Sequence, residues 1–307
     1  MDSEFDFGGG VDMTIDEAIK ILDGLFAKPE ISEDDEPLFV ECLTLLANDK
    51  ENELCGEAQY YLGDYYNGNR RADLAISYWE RSAENGFEAA YAGLGDIYFF
   101  GEIGEFDYEK AFYYYSKGAE KDNRYCKYMV ADMYKDGLFV QQNYEKYKLL
   151  IEELYNDNKD DENSSILPDI ILRLARIRAK EKDIDNAINL YSDAINKYIN
   201  VVVKRKYLAY ISRILEANDE LHQLRRFDVD ELNIFNISYL MKSPIRIIFM
   251  YEDDSYEIET VNEEDGIVVH FGNKWYRSVE EFYKNAKIVN DSITTLAYEL
   301  YGFEVIK

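Results

Sequence analysis

Residues 58–66 read Ala-Gln-Tyr-Tyr-Leu-Gly-Asp-Tyr-Tyr, and two similar segments follow further along the chain. Residues 90–98 read Ala-Tyr-Ala-Gly-Leu-Gly-Asp-Ile-Tyr, and residues 126–134 read Cys-Lys-Tyr-Met-Val-Ala-Asp-Met-Tyr. The segments start 32 and then 36 residues apart, and a glycine follows each of them, at Gly68, Gly101 and Gly137. Self-similarity at this spacing is typical of a repeat array in which each unit packs against its neighbours.

Each segment is followed by a second stripe of small and apolar residues with helical spacing. The stripes occupy positions i, i+4 and i+8, at Ala75, Trp79 and Ala83, at Ala111, Tyr115 and Ala119, and at Tyr147, Ile151 and Tyr155. Because residues four apart share one face of a helix, each unit is predicted to be a pair of helices. A glycine inside a helix costs about 1 kcal/mol relative to alanine, so Gly63 and Gly95 predict a close approach of the paired helices. The stripe of Leu62, Trp79, Tyr98 and Tyr115 is predicted to be core.

The repeated segments resemble the Sel1-like repeat, a close relative of the tetratricopeptide repeat. Its pattern is approximately A-x-x-x-L-G-x-x-Y-x-x-G followed by A-x-x-W/Y-x-x-x-A-A. The first unit matches at Ala58, Leu62, Gly63, Tyr66, Gly68, Ala75, Trp79 and Ala83. The second unit matches at Ala90, Leu94, Gly95, Tyr98, Gly101, Ala111, Tyr115 and Ala119, and the third unit is degenerate. The resemblance covers about residues 54–157 and extends more weakly to about residue 200.

This resemblance implies a mainly α fold, a right-handed α-solenoid of helix-pair repeats, and a protein-binding function. Three parts are predicted: a flexible N-terminus at residues 1–12, the helical solenoid at 13–243 and a small α+β domain at 244–307. Thr14 and Glu17 carry a capping-box pattern for a first helix, and Pro37 is suited to the start of a second. Helices over residues 206–224 and 230–240 are expected to close the other end of the array.

Near Pro244 the spacing of the apolar residues changes from a period of 3.6 residues, typical of helices, to a period of 2 residues, which predicts strands. The strand-like runs are residues 246–251, 256–261, 267–271 and 274–277, with Gly272-Asn273 as a tight hairpin turn. Ser278 is a predicted helix cap, and a further helix over 292–301 and a last strand over 303–306 complete the predicted domain.

Charge is strongly one-sided, with 62 acidic against 34 basic residues and a formal net charge of −28. Residues 1–165 hold 38 acidic and 15 basic residues, a net charge of −23. This balance argues against a general nucleic-acid binder and against docking on anionic lipid. Two interpretations remain: a solvated surface that maintains solubility, or a negative field that steers a basic partner.

The sequence contains no phosphate-binding loop, no metal-ligand motif and no nucleophile motif of a known catalytic pattern. His222 and His270 are isolated, and the cysteines Cys42, Cys55 and Cys126 are expected to be buried small apolar residues. The chain is therefore predicted to be no enzyme, with no catalytic residue, cofactor or metal. The N-terminus lacks a signal-peptide pattern, which favours a cytoplasmic protein, and the residue usage suggests an AT-rich bacterial genome.

The candidate binding site is a ladder of aspartates at the same phase of consecutive repeats. In the resembled repeats this phase of the first helix faces the concave groove. The aspartates are Asp64, Asp96 and Asp132, and the groove-facing neighbours are Tyr60, Asn67, Phe99, Tyr128 and Lys135. A fourth helical pair is predicted where Leu172 and Leu174 lead into Ala187 and Ile195. It has Arg176 at this phase, so the ladder is expected to end there.

Such a groove suits a basic peptide or protein segment, with carboxylates that orient it and rings that supply desolvated area. The alternative for these aspartates is that they cap or salt-bridge neighbouring helices within the array. The functional alternative to an interaction adaptor is an acidic inhibitor, such as a toxin-immunity or anti-defence protein, that blocks the nucleic-acid site of a basic enzyme. The partner's identity and the oligomeric state stay open.

Overall fold

The structure, a computed structural model, describes residues 13–161, 164–225 and 232–306. The chain divides into two compact units, and the boundary along the sequence falls between Leu150 and Ile151. The segment 1–12, for which flexibility is predicted, lies outside the described residues. The predicted domain boundary between residues 243 and 244 falls inside the second unit and stays a prediction.

The first unit is built from helices that follow one another along the chain and pack mainly against their sequence neighbours. They are α1 (Ile15–Phe26), α2 (Glu36–Asn48), α3 (Cys55–Gly68), α4 (Ala72–Glu84), α5 (Ala90–Phe99), α6 (Tyr108–Ala119), α7 (Arg124–Asp136) and the start of α8 (Tyr144–Asn158). Helix α3 packs against α4 and α5 packs against α6, which confirms these predicted helix pairs. Within the part of the chain that the structure describes, no helix is long and apolar enough to cross a membrane.

The helix starts follow from capping side chains. Thr14 Oγ1 accepts from the Glu17 amide at 3.3 Å, and Glu17 Oε2 accepts from the Thr14 amide at 2.9 Å, a complete capping box. Asp107 and Asn143 each accept a hydrogen bond at 3.0 Å from the amide three residues ahead. These contacts satisfy backbone donors that a helix leaves unpaired at its start, and the contacts of Thr14 and Glu17 confirm the predicted capping box.

Aromatic rings of the second helices fill the space left by glycines of the first helices. A Cβ at Gly63 would fall on the Trp79 ring, and a Cβ at Gly95 would fall on the Tyr115 ring. Tyr115 is fully buried and Trp79 is 3% exposed. The predicted close approach and the predicted core stripe are therefore confirmed.

The second unit contains further helices and an antiparallel sheet. The helices are the rest of α8, α9 (Leu167–Lys180), α10 (Ile184–Arg205), α11 (Ile211–Leu224) and α12 (Val279–Asn285). The strands are β1 (Ile245–Tyr251), β2 (Asp254–Glu263), β3 (Gly266–Phe271), β4 (Lys274–Tyr276), β5 (Lys287–Ile288), β6 (Asp291–Ser292) and β7 (Tyr301–Ile306). The main sheet has the order β4-β3-β2-β1-β7, and β5 pairs with β6. Gly272, with φ +61°, supports the predicted hairpin turn between β3 and β4.

Three predicted helices differ from the structure. The helix predicted over 206–224 begins only at Ile211, because Lys206 adopts a left-handed φ of 55° and ends α10, and a short 3-10 helix (Leu208–Tyr210) intervenes. In the region 230–240, a 3-10 helix (Asn236–Lys242) begins only at Asn236, and residues 230–231 lie outside the described residues.

The helix predicted over 292–301 is wrong. Strand β6 ends at Ser292, turns follow, and β7 begins at Tyr301 and pairs with β1. Residues with the helix-like apolar spacing are buried in this turn-rich segment, namely Ile293, Leu296 and Ala297. The spacing therefore arises from burial and does not indicate a helix. Ser292 accepts hydrogen bonds at its carbonyl from Thr295 and shares a 2.8 Å hydroxyl contact with Thr294. Local bonds of this kind compete with helix formation.

Candidate functional site

The predicted aspartates lie on α3, α5 and α7, the first helices of the three repeats. Trp79 Nε1 donates to Asp64 Oδ1 at 3.2 Å, and the Tyr115 hydroxyl donates to Asp96 Oδ1 at 2.6 Å. In both repeats the ring of the second helix occupies the glycine position, and its polar tip reaches the aspartate that follows the glycine. The Gly-Asp pair therefore positions the aromatic side chain that holds the two helices together.

Asp96 also links two neighbouring repeats. The Tyr125 hydroxyl, at the start of α7, donates to the same Asp96 Oδ1 at 2.8 Å. Asp96 Oδ2 accepts no hydrogen bond from any residue that the structure describes. The two tyrosine hydroxyls thus hold the carboxylate in one orientation through Oδ1.

Burial perturbs the titration of both carboxylates. Desolvation raises the pKa of Asp96, and the hydrogen bonds from Tyr115 and Tyr125 oppose the rise. Desolvation likewise raises the pKa of Asp64 against the opposing interactions with Tyr60 and Trp79, although the residue as a whole is exposed. The charged form of each carboxylate is therefore less stable here than in water, and a cation beside it relieves that cost.

Tyr60 lies close to both carboxylates. Its pKa is raised mainly by desolvation, with added contributions from the negative charges of Asp64 and Asp96. Its ring contacts Phe87 with centroids 5.2 Å apart. The structure therefore brings Asp64, Tyr60 and Asp96 together on adjacent helices.

The remaining predicted residues differ in exposure. Tyr128 is only 8% exposed and packs near Tyr125, with ring centroids 6.3 Å apart, so it offers little surface to a partner. Phe99 is half-buried and contacts the rings of Phe100 and Tyr108. The other half-buried members of the predicted set are Asn67, Asp132 and Lys135, and Lys135 Nζ lies 3.4 Å from Asp136 Oδ1.

Arg176 is engaged within the second unit. Its guanidinium donates to both carboxylate oxygens of Glu220, with shortest distances of 2.7 and 2.9 Å, and lies 2.7 Å from Glu216. The Tyr191 hydroxyl donates to Glu220 at 2.6 Å. Helix α9 therefore carries an arginine, Arg176, that is already ion-paired at the repeat position where the first unit has an aspartate.

Sequence reasoning missed a small pocket in the first unit. It has a volume of about 180 Å³ and lies between α1, α2 and α3. Its lining is mostly aliphatic, with two carboxylates and two aromatic rings, and consists of Ile19, Leu22, Asp23, Phe26, Leu43, Leu46, Leu54, Glu57, Ala58 and Tyr61. The helical spacing of Ile19, Leu22 and Phe26 predicts a core stripe, so no signal in the sequence separates these residues from ordinary core.

Reactive groups are few around these surfaces. The three cysteines are buried and unpaired, and burial raises the pKa of Cys126 to about 12, far from a reactive thiolate. Among the described residues, no group of three or more His, Cys, Asp and Glu side chains is placed to hold a metal ion. The arrangement of rings and carboxylates is suited to binding a segment of cationic character.

The fold defines a helical repeat protein in which the first helices of the repeats carry the predicted aspartates. The family model of the Sel1 repeat matches three consecutive segments of the chain, residues 56–87, 88–123 and 125–146. Proteins with Sel1 repeats generally mediate protein–protein interactions and are typically not enzymes.

The chain is similar to two solved structures among those compared. One is a protective antigen of uropathogenic Escherichia coli with an SLR fold, at 17% identity and a TM-score of 0.50 over 73% of this chain and 51% of that one. This chain therefore spans about half the length of that antigen. The other is a Sel1 repeat protein from Oxalobacter formigenes, at 16% identity and a TM-score of 0.46 over 72% of this chain and 89% of that one. No curated protein matches the chain.

Proposed function

We propose that the chain is a non-catalytic interaction adaptor whose repeats bind a basic segment of another protein on the face formed by α3, α5 and α7. The observation that carries the proposal is the carboxylate of Asp96. Two tyrosine hydroxyls hold it through Oδ1, and Oδ2 accepts no hydrogen bond from the described residues. This geometry suits a guanidinium or ammonium group that approaches from the solvent side.

The physical argument is one of preorganisation. A partly desolvated carboxylate with a raised pKa gains more from a cation than a fully hydrated one does, because its solvation is already reduced. Tyr60, beside Asp64 and Asp96, adds an aromatic surface for the stem of a lysine or arginine. The net charge of −23 over residues 1–165 steers a basic segment toward the repeats.

The test is partner capture from native lysate with a variant that removes charge and keeps the internal hydrogen bonds. Asp64→Asn/Asp96→Asn/Asp132→Asn retains an acceptor oxygen at each position, whereas lysine would break the contacts with Trp79 and Tyr115. The matched control is Asp73→Asn/Glu84→Gln/Glu109→Gln, which removes the same charge from exposed positions on α4 and α6.

A partner that is retained by the wild type and the control and lost by the first variant supports the proposed face. Equal retention by all three proteins contradicts it. Circular dichroism and melting temperatures of the purified proteins establish that each variant is folded.

The acidic inhibitor is the second candidate, and the concentration of negative charge in residues 1–165 favours it. The two functions differ in salt dependence. An inhibitor that imitates a phosphate backbone loses affinity steeply as ionic strength rises, whereas a segment anchored on rings loses less. Titration of the captured partner between about 0.05 and 0.5 M NaCl separates them, because screening lengths change several-fold across this range.

A further inference from the structure

The pocket between α1, α2 and α3 combines an apolar interior with an acidic mouth. Leu22, Leu43, Leu46 and Ala58 are at most 5% exposed and form its interior. Asp23 is exposed, Glu57 is half-buried, and the Phe26 ring is 47% exposed with its centroid 4.9 Å from that of Tyr61. An apolar hollow that is open to solvent and rimmed by charge is typical of a binding surface rather than of a packing defect.

Among the described residues, no cation is paired with either of the two carboxylates at the mouth. Neither Asp23 nor Glu57 forms an ion pair with any residue that the structure describes. Glu57 lies close to Tyr61, since its negative charge contributes, after desolvation, to the raised pKa of that tyrosine. The negative charge of Asp64 also contributes to the raised pKa of Tyr61, so the pocket lies near Asp64.

We propose that this pocket binds an aliphatic side chain, of leucine, isoleucine or methionine, that stands next to a lysine or arginine in the bound protein segment. The inference rests on the proposed function, because it describes the end of the segment that lies beyond α3 toward α1. The aliphatic group enters the hollow, and the neighbouring cation lies between Asp23 and Glu57 beside the Phe26 and Tyr61 rings.

The volume and the charge together select this class of group. An apolar cavity of about 150 Å³ holds a benzene ring, so a pocket of about 180 Å³ accepts one branched aliphatic side chain. Burial of that side chain supplies the apolar contribution, and a buried anchor in a pocket commonly dominates binding energy. An acidic segment would place negative charge against the two carboxylates. A purely apolar segment would remove water from them without supplying a cation, so both kinds of segment are disfavoured.

The test uses a small probe that carries both features. Isopentylammonium has a branched alkyl chain and a cation, isopentanol has the chain alone, and methylammonium has the cation alone. The full chain with labelled isoleucine and leucine methyl groups is titrated with each probe and followed by NMR. We expect saturable shifts at Ile19, Leu22 and Leu43 with isopentylammonium, at millimolar dissociation constants given the few atoms of the probe. Isopentanol lacks the cation and methylammonium lacks the branched chain. Each should therefore bind about tenfold more weakly than isopentylammonium, because each loses one hydrogen-bonded charge or one buried apolar group.

The variant Asp23→Asn/Glu57→Gln should bind isopentylammonium and isopentanol equally, whereas the control Glu84→Gln should keep the preference for the ammonium. Equal binding of the ammonium and the alcohol by the wild type, or shifts that spread over the whole molecule, overturns the proposal. Dimerisation of the wild type that the double variant abolishes, measured by sedimentation, shows instead that a second copy occupies the pocket and also overturns it.

The test of the pocket can succeed or fail independently of the test of the proposed function. Asp96 does not line the pocket, so the Asp96→Asn variant should bind the probe as the wild type does. A wild type that ignores the probe and still captures a partner through Asp64, Asp96 and Asp132 refutes the pocket alone. A wild type that binds the probe but captures no partner through those aspartates refutes the proposed function alone.

Discussion

At the scale of single residues, Asp96 serves the fold and the proposed binding face through different oxygens. Oδ1 accepts from Tyr115 and Tyr125, which joins α5 to α6 and to α7. The two alternatives that the sequence leaves open for the aspartates, internal contact and partner contact, are therefore compatible at this residue. Asp64 repeats the internal contact with Trp79.

Substitution of Asp96 separates the acceptor from the charge. In Asp96→Ala the fully buried Tyr115 loses its acceptor, and we expect the free energy of unfolding to fall by about 1–3 kcal/mol. In Asp96→Asn the amide oxygen still accepts and no charge is desolvated, so stability at neutral pH should equal or exceed that of the wild type. Urea unfolding of the three proteins measures both effects.

A pH series provides the control for this assignment. The pKa of Asp96 is raised by burial from an ordinary value of 3.8, so the native state binds this proton more tightly than the unfolded state. The stabilisation that comes from protonated Asp96 is complete below the ordinary pKa of 3.8 and is lost as the pH rises through the raised pKa. The advantage of Asp96→Asn over the wild type should therefore grow with pH across this window, and an advantage that is constant with pH contradicts the assignment.

At the scale of helices, the pairing depends on a glycine facing an aromatic ring. Gly95 of α5 and Gly63 of α3 receive Tyr115 and Trp79, and Trp79 also lies against Gly93, where a Cβ would stand 2.7 Å from the ring. Because protein interiors are close-packed, the ring can occupy this space only if no Cβ is present. The glycine therefore sets the distance between the paired helices.

Alanine substitution tests this packing with a built-in control. Gly95→Ala places a methyl group on the Tyr115 ring, and we expect a loss of about 1–3 kcal/mol from overpacking. Gly24→Ala in α1 meets no atom within 4 Å and should stabilise the protein by about 0.5–1 kcal/mol through helix propensity. Thermal and urea unfolding measure both changes. Two substitutions with the same sign and size would show that propensity, rather than the ring contact, controls the effect.

At the scale of the whole molecule, negative charge dominates. The net charge of −28 makes the folded chain repel itself. Self-repulsion between exposed charges is weakened by salt, because the screening length falls as ionic strength rises. The acidity thus lowers stability at low ionic strength while it favours association with a basic partner.

We expect the melting temperature to rise by a few degrees when NaCl is increased from about 0.02 to 0.2 M, as repulsion is screened. The variant Asp73→Asn/Glu84→Gln/Glu109→Gln carries three fewer negative charges and should show a smaller rise. Differential scanning calorimetry gives both values. A melting temperature that falls with salt would mean that specific ion pairs outweigh the repulsion.

The sequence by itself determined the features that depend on short-range spacing. The repeat of residues 58–66, the capping groups at Thr14 and Ser278, and the hairpin at Gly272 are local patterns, because helix and turn geometry is set within a few residues. The same logic failed at residues 292–301, where the apolar spacing of a helix arises from burial of a turn-rich segment.

Only the tertiary structure decided how those elements present their polar groups. It placed the hydroxyls of Tyr115 and Tyr125, which are far apart from Asp96 in sequence, on a single carboxylate oxygen. It also buried Tyr128 and opened the pocket between Ile19 and Ala58. Helical periodicity gives the direction of a side chain on its own helix, whereas contact and exposure depend on the distance between helices, which packing of the whole repeat sets.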